Sequence, residues 1–247
     1  IIVDGGENWD ADTKFWIQLG SDIDGEATYD GLGYSVSLDS DGDRVAIGAH
    51  QNDGNGTNAG HVRVYEWNGT AWAILGDDIN GEAASDESGY SVSLDSDGDR
   101  VAIGAYQNDG NGSNAGHVRL YEYSSDSWTQ LGSDIDGEAA DDESGYSVSL
   151  DSDGDRVAIG AYYNDGTGSN AGHVRIYERD EGNTTVEPLG WTQLGSDIDG
   201  EATHDYSGYS VSLNSDGDRV AIGAYYNDGT ERNVASVGHV RVYEWNG

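Results

Sequence analysis

The feature that most constrains the fold is an internal repeat that occurs four times. Copies of "GYSVSL" begin at Gly33, Gly89, Gly145 and Gly208. Each copy is followed by "RVAIGA" and then by "GHVR", which leads into a Tyr-Glu pair. A Trp followed three residues later by Leu-Gly recurs at Trp16, Trp72, Trp128 and Trp191. Because a unit of this size buries its apolar face only against its neighbours, the chain is predicted to stack four equivalent units.

Each repeated element has the residue pattern of a short β-strand. In the first copy Tyr34, Val36 and Leu38 alternate with serines, and a period of two is typical of a strand with one buried face. The Asp-Gly of "SDGD" between the first two elements favours a tight hairpin, since both residues tolerate positive φ. No stretch shows a helical period. We therefore predict an all-β fold, a four-bladed β-propeller of four-stranded antiparallel blades.

The repeats set the expected domain organisation. We predict one propeller domain over residues 1–247, with an N-terminal extension over 1–15 and units at approximately 16–71, 72–127, 128–190 and 191–247. The last copy stops at "YEWNG", before its fourth strand, while a matching fourth strand, "WIQLG", starts at Trp16. The N-terminal strand is therefore expected to complete the last blade, either within the same chain or from a neighbouring molecule.

The charge of the chain narrows its partners. It carries 47 acidic and 11 basic residues, a formal net charge of −36. Such a surface repels phosphate backbones and anionic lipid, so we expect no nucleic-acid partner, and divalent cations become the natural ligands. There is no Cys, which excludes disulfides and a Cys nucleophile. No apolar run approaches the ~20 residues of a membrane span, so no membrane insertion is expected.

The acids ahead of each "GYSVSL" stand at fixed relative positions 1, 3, 5 and 9. They are Asp22, Asp24, Glu26 and Asp30; Asp78, Asn80, Glu82 and Asp86; Asp134, Asp136, Glu138 and Asp142; and Asp197, Asp199, Glu201 and Asp205. Calcium takes six to eight oxygen ligands, and a loop that presents side chains at alternate positions can wrap it. We predict a calcium site in each loop. The alternative is that these are polar turn residues, which accounts for Asp-Gly but not for the recurring acids at positions 5 and 9.

A second acidic set lies in the "DSDGD" hairpins. It comprises Asp39, Asp41 and Asp43; Asp95, Asp97 and Asp99; Asp151, Asp153 and Asp155; and Asn214, Asp216 and Asp218. The set opens like an EF-hand loop, but Arg stands at position 6 and the Glu of position 12 is missing. A tight hairpin turn is the favoured interpretation, with metal binding as the alternative. The His that begins each third strand is interpreted as a packing residue.

The stretch "GYSVSLDSDGDRVAIGA" resembles the FG-GAP repeat of integrin α-subunit propellers, and the resemblance extends over all four units. It implies a β-propeller, an extracellular or cell-surface location, calcium-binding loops and roles in adhesion or surface architecture. The family's calcium loop ends in Asp at its ninth place, where this chain has Ile47. Its ligand roles therefore carry over at most to Asp39, Asp41, Asp43 and their equivalents. The family's usual ring also has seven blades.

Two functional hypotheses follow from these patterns. The first is a non-enzymatic extracellular module, structural or adhesive, rigidified by calcium and repeated along a filament or a large surface protein, with copies of itself or surface proteins as partners. The second is a carbohydrate-binding propeller, in which glycans contact exposed aromatic side chains. The candidate aromatic residues are Trp67, Tyr106, Tyr162 and Tyr163.

An enzyme is not expected. The sequence shows no Ser-His-Asp arrangement, phosphate loop or HExxH pattern, and acids equivalent in every unit argue against one asymmetric active site. Four sequons predict N-glycosylation on a eukaryotic secretory route, and they lie at Asn55, Asn68, Asn111 and Asn183.

Overall fold

A computed structural model describes residues 15–228 and 236–247 of the chain. Most of the predicted extension, residues 1–14, lies outside the described residues. The described residues form 18 β-strands in four antiparallel sheets. They contain no helix long and apolar enough to cross a membrane. The predicted all-β, four-bladed propeller fold is confirmed.

Each blade is built from the repeated elements in chain order. The inner strands are β1 Ser35–Leu38, β6 Ser91–Leu94, β11 Ser147–Leu150 and β16 Ser207–Leu213. The second strands are β2 Arg44–Ala49, β7 Arg100–Ala105, β12 Arg156–Ala161 and β17 Arg219–Ala224. The third strands are β3 His61–Trp67, β8 His117–Ser124, β13 His173–Arg179 and β18 His239–Glu244.

The outer part of the first three blades has two short pieces. The outer strands are β4 Trp72–Ile74, β9 Ser127–Gln130 and β14 Trp191–Gln193. After each of them a two-residue strand pairs with the start of the third strand; these are β5 Ile79–Asn80, β10 Ile135–Asp136 and β15 Ile198–Asp199. The Gly of each "SDGD" hairpin has positive φ, for example +71° at Gly42, as the tight turn requires.

Consecutive blades are joined by three equivalent hydrophobic seams. In the first seam Ala46, Val62 and Val64 of one blade pack against Leu94 and Val101 of the next. The other two seams use the corresponding residues. Burying a side chain of this size stabilises the fold by about 1.5–3 kcal/mol. The core of the chain therefore lies between the blades.

Hydrogen bonds repeat from seam to seam in the same way. The amide of Ser40 donates to the carbonyl of Ser96 at 3.0 Å, and the amide of Ser96 donates to Ser152 at 3.0 Å. Near the axis, the hydroxyl of Ser91 donates to the carbonyl of Gly145 at 2.7 Å. These bonds fix the stagger between neighbouring blades.

The four blades form an open arc, because no equivalent seam joins the fourth blade to the first among the described residues. On the first blade Leu38 is 60% exposed, whereas its equivalent Leu94 is 7% exposed. On the fourth blade Val240 and Val242 are each 67% exposed, whereas the equivalent Val62 is fully buried. The arc thus ends in two apolar faces.

The segment predicted to complete the last blade has a different place in the single chain. Residues 15–19 form no strand, and the fourth sheet has only β16, β17 and β18 among the described residues. The carbonyl of Leu19 instead accepts a hydrogen bond from Trp72 Nε1 at 3.0 Å. This contact holds the segment beside the first blade, at the other end of the arc from β18.

Candidate metal sites at the blade edges

The position-9 acids are buried hydrogen-bond acceptors. They are Asp30, Asp86, Asp142 and Asp205, each no more than 5% exposed. The carboxylate of Asp142 accepts from the amide of Ala139 at 3.0 Å and from Nδ2 of Asn164 at 3.1 Å. The first two copies make the same pair of bonds. Burial raises the pKa of Asp142. These carboxylates close their own bend and tie it to the loop after the second strand.

Positions 1 and 5 meet at a histidine. Three groups have ligand atoms within 4.8 Å of one another: Glu26, His61 and Asp78; Glu82, His117 and Asp134; and Glu138, His173 and Asp197. Nδ1 of His117 lies 3.9 Å from Glu82 Oε2 and 3.7 Å from Asp134 Oδ2. In each group the Glu comes before the blade that contains the histidine, in chain order, and the Asp comes after that blade. Each group therefore takes its two acids from two successive loops. No single loop brings its own positions 1 and 5 to one histidine among the described residues.

Arginine two residues after the histidine competes for these carboxylates. Arg63 donates to both oxygens of Asp78 at 2.7 Å each and also contacts Glu26. In the second group Arg119 lies 3.6 Å from Glu82. The guanidinium has no lone pair to offer a metal ion and stays positively charged. A cation at this place, Ca²⁺ included, must therefore displace the arginine from the carboxylate oxygens, which are the ligands that Ca²⁺ prefers.

Burial sets the charge state of these groups. Burial, with the neighbouring arginine adding to it, lowers the pKa of His117 and of His173 to about 4 each. Burial also raises the pKa of Glu82 and of Glu138. The imidazoles are therefore neutral at physiological pH, which is the form that can ligate a metal. The sequence interpretation of these histidines as packing residues accounts for their burial but misses the carboxylates beside them.

Position 3 lies in the two-residue strands at the blade edge, at Asn80, Asp136 and Asp199. The backbone carbonyl of Asp136 accepts from Arg175 at 2.6 Å. Positions 1, 3 and 5 of the third loop, Asp134, Asp136 and Glu138, line one groove of about 920 Å³. Arg175 and part of the inserted loop also line that groove, the loop residues being Asp180, Gly182, Asn183, Thr185, Val186, Glu187 and Pro188. The structure thus brings three of the four predicted ligand residues of this loop to one groove.

In the hairpins the first and third acids lie side by side. The first residue caps the turn; Asp95 accepts from the amide of Arg100 at 3.0 Å. Burial, with Asp99 adding to it, raises the pKa of Asp95 to about 6, and burial likewise raises that of Asp151 to about 6. The middle acids are exposed at Asp41, Asp97, Asp153 and Asp216. Paired carboxylates in contact require a shared proton or a bound cation.

The fourth hairpin shows what relieves such a pair. Asn214 replaces the first acid, and its Nδ2 donates to Asp218 at 2.7 Å while its Oδ1 accepts from the amide of Arg219 at 2.8 Å. The amide supplies the hydrogen that a second carboxylate lacks. The other hairpins keep two acids and therefore keep a place for a proton or a metal ion.

Asp151→Asn is expected to stabilise the chelator-treated protein at pH 7 by up to about 3 kcal/mol, because the folded-state pKa of about 6 exceeds the ordinary value of 3.8. The folded state holds the Asp151 proton more tightly than the unfolded state does. The advantage of the variant is therefore full above the folded pKa and is lost as the pH falls to 3.8. Urea unfolding of both proteins across this range measures it. An advantage that does not change with pH would contradict the pairing.

The other predicted residues are engaged locally. Trp67 packs against Trp72 in a tilted contact with ring centroids 5.4 Å apart, and Tyr106 contacts Tyr90 with ring centroids 4.3 Å apart. Tyr162 is buried and stacks on Tyr163 with centroids 4.1 Å apart.

Three sequon amides, those of Asn55, Asn111 and Asn183, donate to backbone carbonyls at 2.7 to 2.8 Å. Asn68 is exposed, and its Oδ1 accepts from Thr70. Glycosylation remains a prediction.

Comparison with protein families identifies the repeat. The FG-GAP repeat pattern matches residues 23–65, 80–121 and 134–177, which together span more than half of the 247 residues. The chain belongs to the FG-GAP repeat family. No curated protein matches this FG-GAP chain.

Solved structures share the fold of this FG-GAP chain. Hydrazine synthase of Kuenenia stuttgartiensis matches with a TM-score of 0.51 and 13% identity, over 85% of this chain and 50% of that one. A putative 6-phosphogluconolactonase from Bacteroides uniformis matches with a TM-score of 0.50 and 11% identity, over 85% and 55%. The chain spans about half the length of these proteins, and the likeness shows the fold alone.

One departure from the family's calcium loop has a clear place in the structure. Ile47, at the ninth place of the first hairpin loop, is paired with Val36 and buried. The side chain of Ile47 is a hydrocarbon and offers no oxygen to a metal ion. Any hairpin site in this FG-GAP chain therefore depends on the three acids of the turn and on backbone carbonyls.

Proposed function

We propose that the chain is a non-enzymatic extracellular module with a structural or adhesive role, rigidified by calcium bound at its acidic bends and hairpins. One observation carries the proposal: the three His-containing groups that could hold a metal occupy the same place in successive blades. Chemistry distributed evenly over identical units suits a scaffold, whereas catalysis needs one asymmetric constellation. Membership of the FG-GAP family supports an extracellular location.

The donor chemistry supports calcium at two places. The hairpin pairs Asp95 with Asp99 and Asp151 with Asp155 offer adjacent carboxylates and no nitrogen ligand. The bends offer carboxylates at positions 1, 3 and 5, with a histidine nearby. Neutralising acids that repel one another stabilises the folded state, so bound calcium would hold the hairpin and the bend rigid.

Calcium is expected to raise the melting temperature of the chelator-treated chain. Free Ca²⁺ at 100 times its Kd contributes about 2.7 kcal/mol for each independent site, which corresponds to about 5–10 °C in a chain of this size. Thermal unfolding with and without calcium measures the shift, and calorimetric titration counts the ions. An unchanged melting temperature together with no binding heat would refute the calcium proposal.

Paired variants separate the two candidate sites. Asp153→Asn with Asp155→Asn removes hairpin charge, and Asp134→Asn with Glu138→Gln removes bend charge in the same region of the chain. Because calcium is proposed at both places, each variant is expected to lose at least one ion from the calorimetric count, and a variant that keeps the full count excludes calcium at the place it alters. Glu181→Gln, an exposed acid of the inserted loop, is the control and keeps the wild-type count.

The carbohydrate-binding alternative is favoured by one feature, the groove of about 920 Å³ lined by Asp134, Asn183 and Thr185 among others. Such polar groups hydrogen-bond sugar hydroxyls. A glycan array probed with the whole chain tests this alternative. Binding to a glycan that Asn183→Ala abolishes would support this alternative. An array with no signal would eliminate it and leave the scaffold role as the remaining proposal.

A further inference from the structure

The outer edge of the fourth blade has an empty cavity at the place where a tryptophan side chain packs in the other blades. This place is called the tryptophan seat. A cavity of about 160 Å³ lies there, lined by Leu194, Val220, Tyr243 and Trp245 among others. It stands beside β18, which has no outer strand among the described residues. In the first blade the equivalent third strand pairs with an outer strand through Trp67 and Trp72, so the seat is a regular position of the blade.

A tryptophan fills the same seat in the other blades. Nε1 of Trp128 donates to the carbonyl of Leu75 at 2.8 Å, and Nε1 of Trp191 donates to Leu131 at 2.8 Å. Trp191 is fully buried. In the fourth blade the corresponding carbonyl belongs to Leu194. The seat is therefore shaped for a tryptophan that enters on an outer strand.

The repeat contains one tryptophan without a seat. Trp16 occupies the same repeat position as Trp72, Trp128 and Trp191, yet it is fully exposed. Leu19 holds its segment against the first blade, so Trp16 stands beyond the free face of that blade. A fully exposed tryptophan gives up the burial that makes this residue a strong anchor of interfaces.

We propose that the segment Trp16–Gly20 of a second copy of the chain adds to β18 as its outer strand, which seats Trp16 against Leu194 and Trp245. The first blade of that second copy then packs on the fourth blade of this one. The contact is head to tail, and it has the same form as each of the three seams between blades within the chain.

The exposed faces are the two halves of such a seam. Val240 and Val242 correspond to Val62 and Val64, which the next blade buries. Leu38 corresponds to Leu94, which the preceding blade buries. Because each half already has its partner type within the chain, a second copy fits without any new kind of contact.

The space beside one glycine of each second strand shows that the fourth blade has room for a neighbouring backbone. A Cβ on Gly48, Gly104 or Gly160 would lie 2.0 Å from a carbonyl oxygen of the next blade, whereas a Cβ on Gly223 meets only the side chain of Ser210 at 2.4 Å and other atoms beyond 3.6 Å. Gly223 is thus the one member of the set whose space stays open in the described chain. The docked second copy would bring the carbonyl of its Gly33 to that space.

Docking also completes a fourth carboxylate–histidine group. Nδ1 of His239 lies 3.6 Å from Glu201, but among the described residues no position-1 acid joins them in a group like the other three. Asp22 is the position-1 acid that has no histidine before it. On the added segment, Asp22 of the second copy would reach His239 as Asp78 reaches His61.

Association is tested on the whole chain in chelator, so that its outcome is independent of calcium binding. Sedimentation velocity is expected to show multiples of 26.2 kDa, favoured by concentration and by salt that screens the net charge of −36. Trp16→Ala and Val242→Glu are each expected to weaken association about thirtyfold or more. Val186→Glu is the matched control, since Val186 is 66% exposed and Val242 is 67% exposed.

Mixing the two variants tests the direction of the contact. Trp16→Ala keeps an intact fourth blade and Val242→Glu keeps an intact first segment, so the mixture forms a 1:1 complex although each variant alone stays monomeric. Gly223→Ala is expected to be monomeric as well. A wild-type chain that stays at 26.2 kDa at every concentration, a Trp16→Ala variant that associates as strongly as the wild type, or a mixture without complex overturns the proposal.

Discussion

Replacing Gly104 by alanine is expected to destabilise the chain by about 3 kcal/mol, the upper part of the range for overpacked cores. The added Cβ would lie 2.0 Å from the carbonyl oxygen of Gly145 in the next blade, an atom of the backbone that cannot rotate away. Relief requires the second and third blades to move apart along their whole seam. Urea unfolding measures the loss, which corresponds to about 6–12 °C in melting temperature.

Gly223→Ala is the matched control, because Gly223 holds the same place in the fourth blade. Its added Cβ meets the hydroxyl of Ser210 at 2.4 Å, and rotation of that side chain removes the clash at a cost of about 1 kcal/mol. At concentrations where the chain is monomeric, Gly223→Ala should therefore unfold close to the wild type. Equal losses in both variants would show that the glycine is required by its own blade and not by the seam.

The strand positions could be predicted from the sequence because strand periodicity and turn chemistry are local. "RVAIGA" predicted a strand and forms β2 over Arg44–Ala49, and the same holds in all four copies. The hairpin before it follows from Asp-Gly, and Gly42 has the expected positive φ. Because the repeat occurs four times, each prediction made for one copy applied to the other three as well.

The roles of the acids could not be predicted in the same way. A constant acid at position 9 fits a calcium ligand and a buried acceptor equally well in the sequence. Its hydrogen bonds depend on where Asn164 arrives from a loop 22 residues away. The His–carboxylate groups join residues from two successive loops around one blade, so no spacing within one repeat reveals them. A signal was present in the fixed register of His with the acids, but register alone does not give distance.

The open arc also lay beyond the sequence. Four repeats and a matching N-terminal strand are compatible with a closed ring, an open arc or exchange between molecules. The choice depends on the angle between blades, which the three seams set through packing and the hydrogen bonds between Ser40, Ser96 and Ser152. An angle is a property of the assembled sheets and has no counterpart in any single repeat.

Trp191→Ala is expected to lower the free energy of unfolding by about 3–5 kcal/mol, the range for a large aromatic removed from a core. Trp191 is fully buried in the seam cluster with Leu120 and Ile159. Its Nε1 donates to the carbonyl of Leu131 at 2.8 Å, so the alanine variant leaves both a cavity and an unpaired acceptor. Urea unfolding of the dilute, monomeric chain is the measurement.

Trp16→Ala is the control with the same residue and the same repeat position in the opposite environment. Because Trp16 is fully exposed, its removal should change the stability of the monomer by no more than about 0.5 kcal/mol. The two tryptophans are expected to contribute differently to the stability of the monomer, because that contribution depends on whether the side chain is buried and not on its position in the repeat. If a second copy buries Trp16, the difference between wild type and Trp16→Ala must grow with protein concentration, since association stabilises only the protein that can associate.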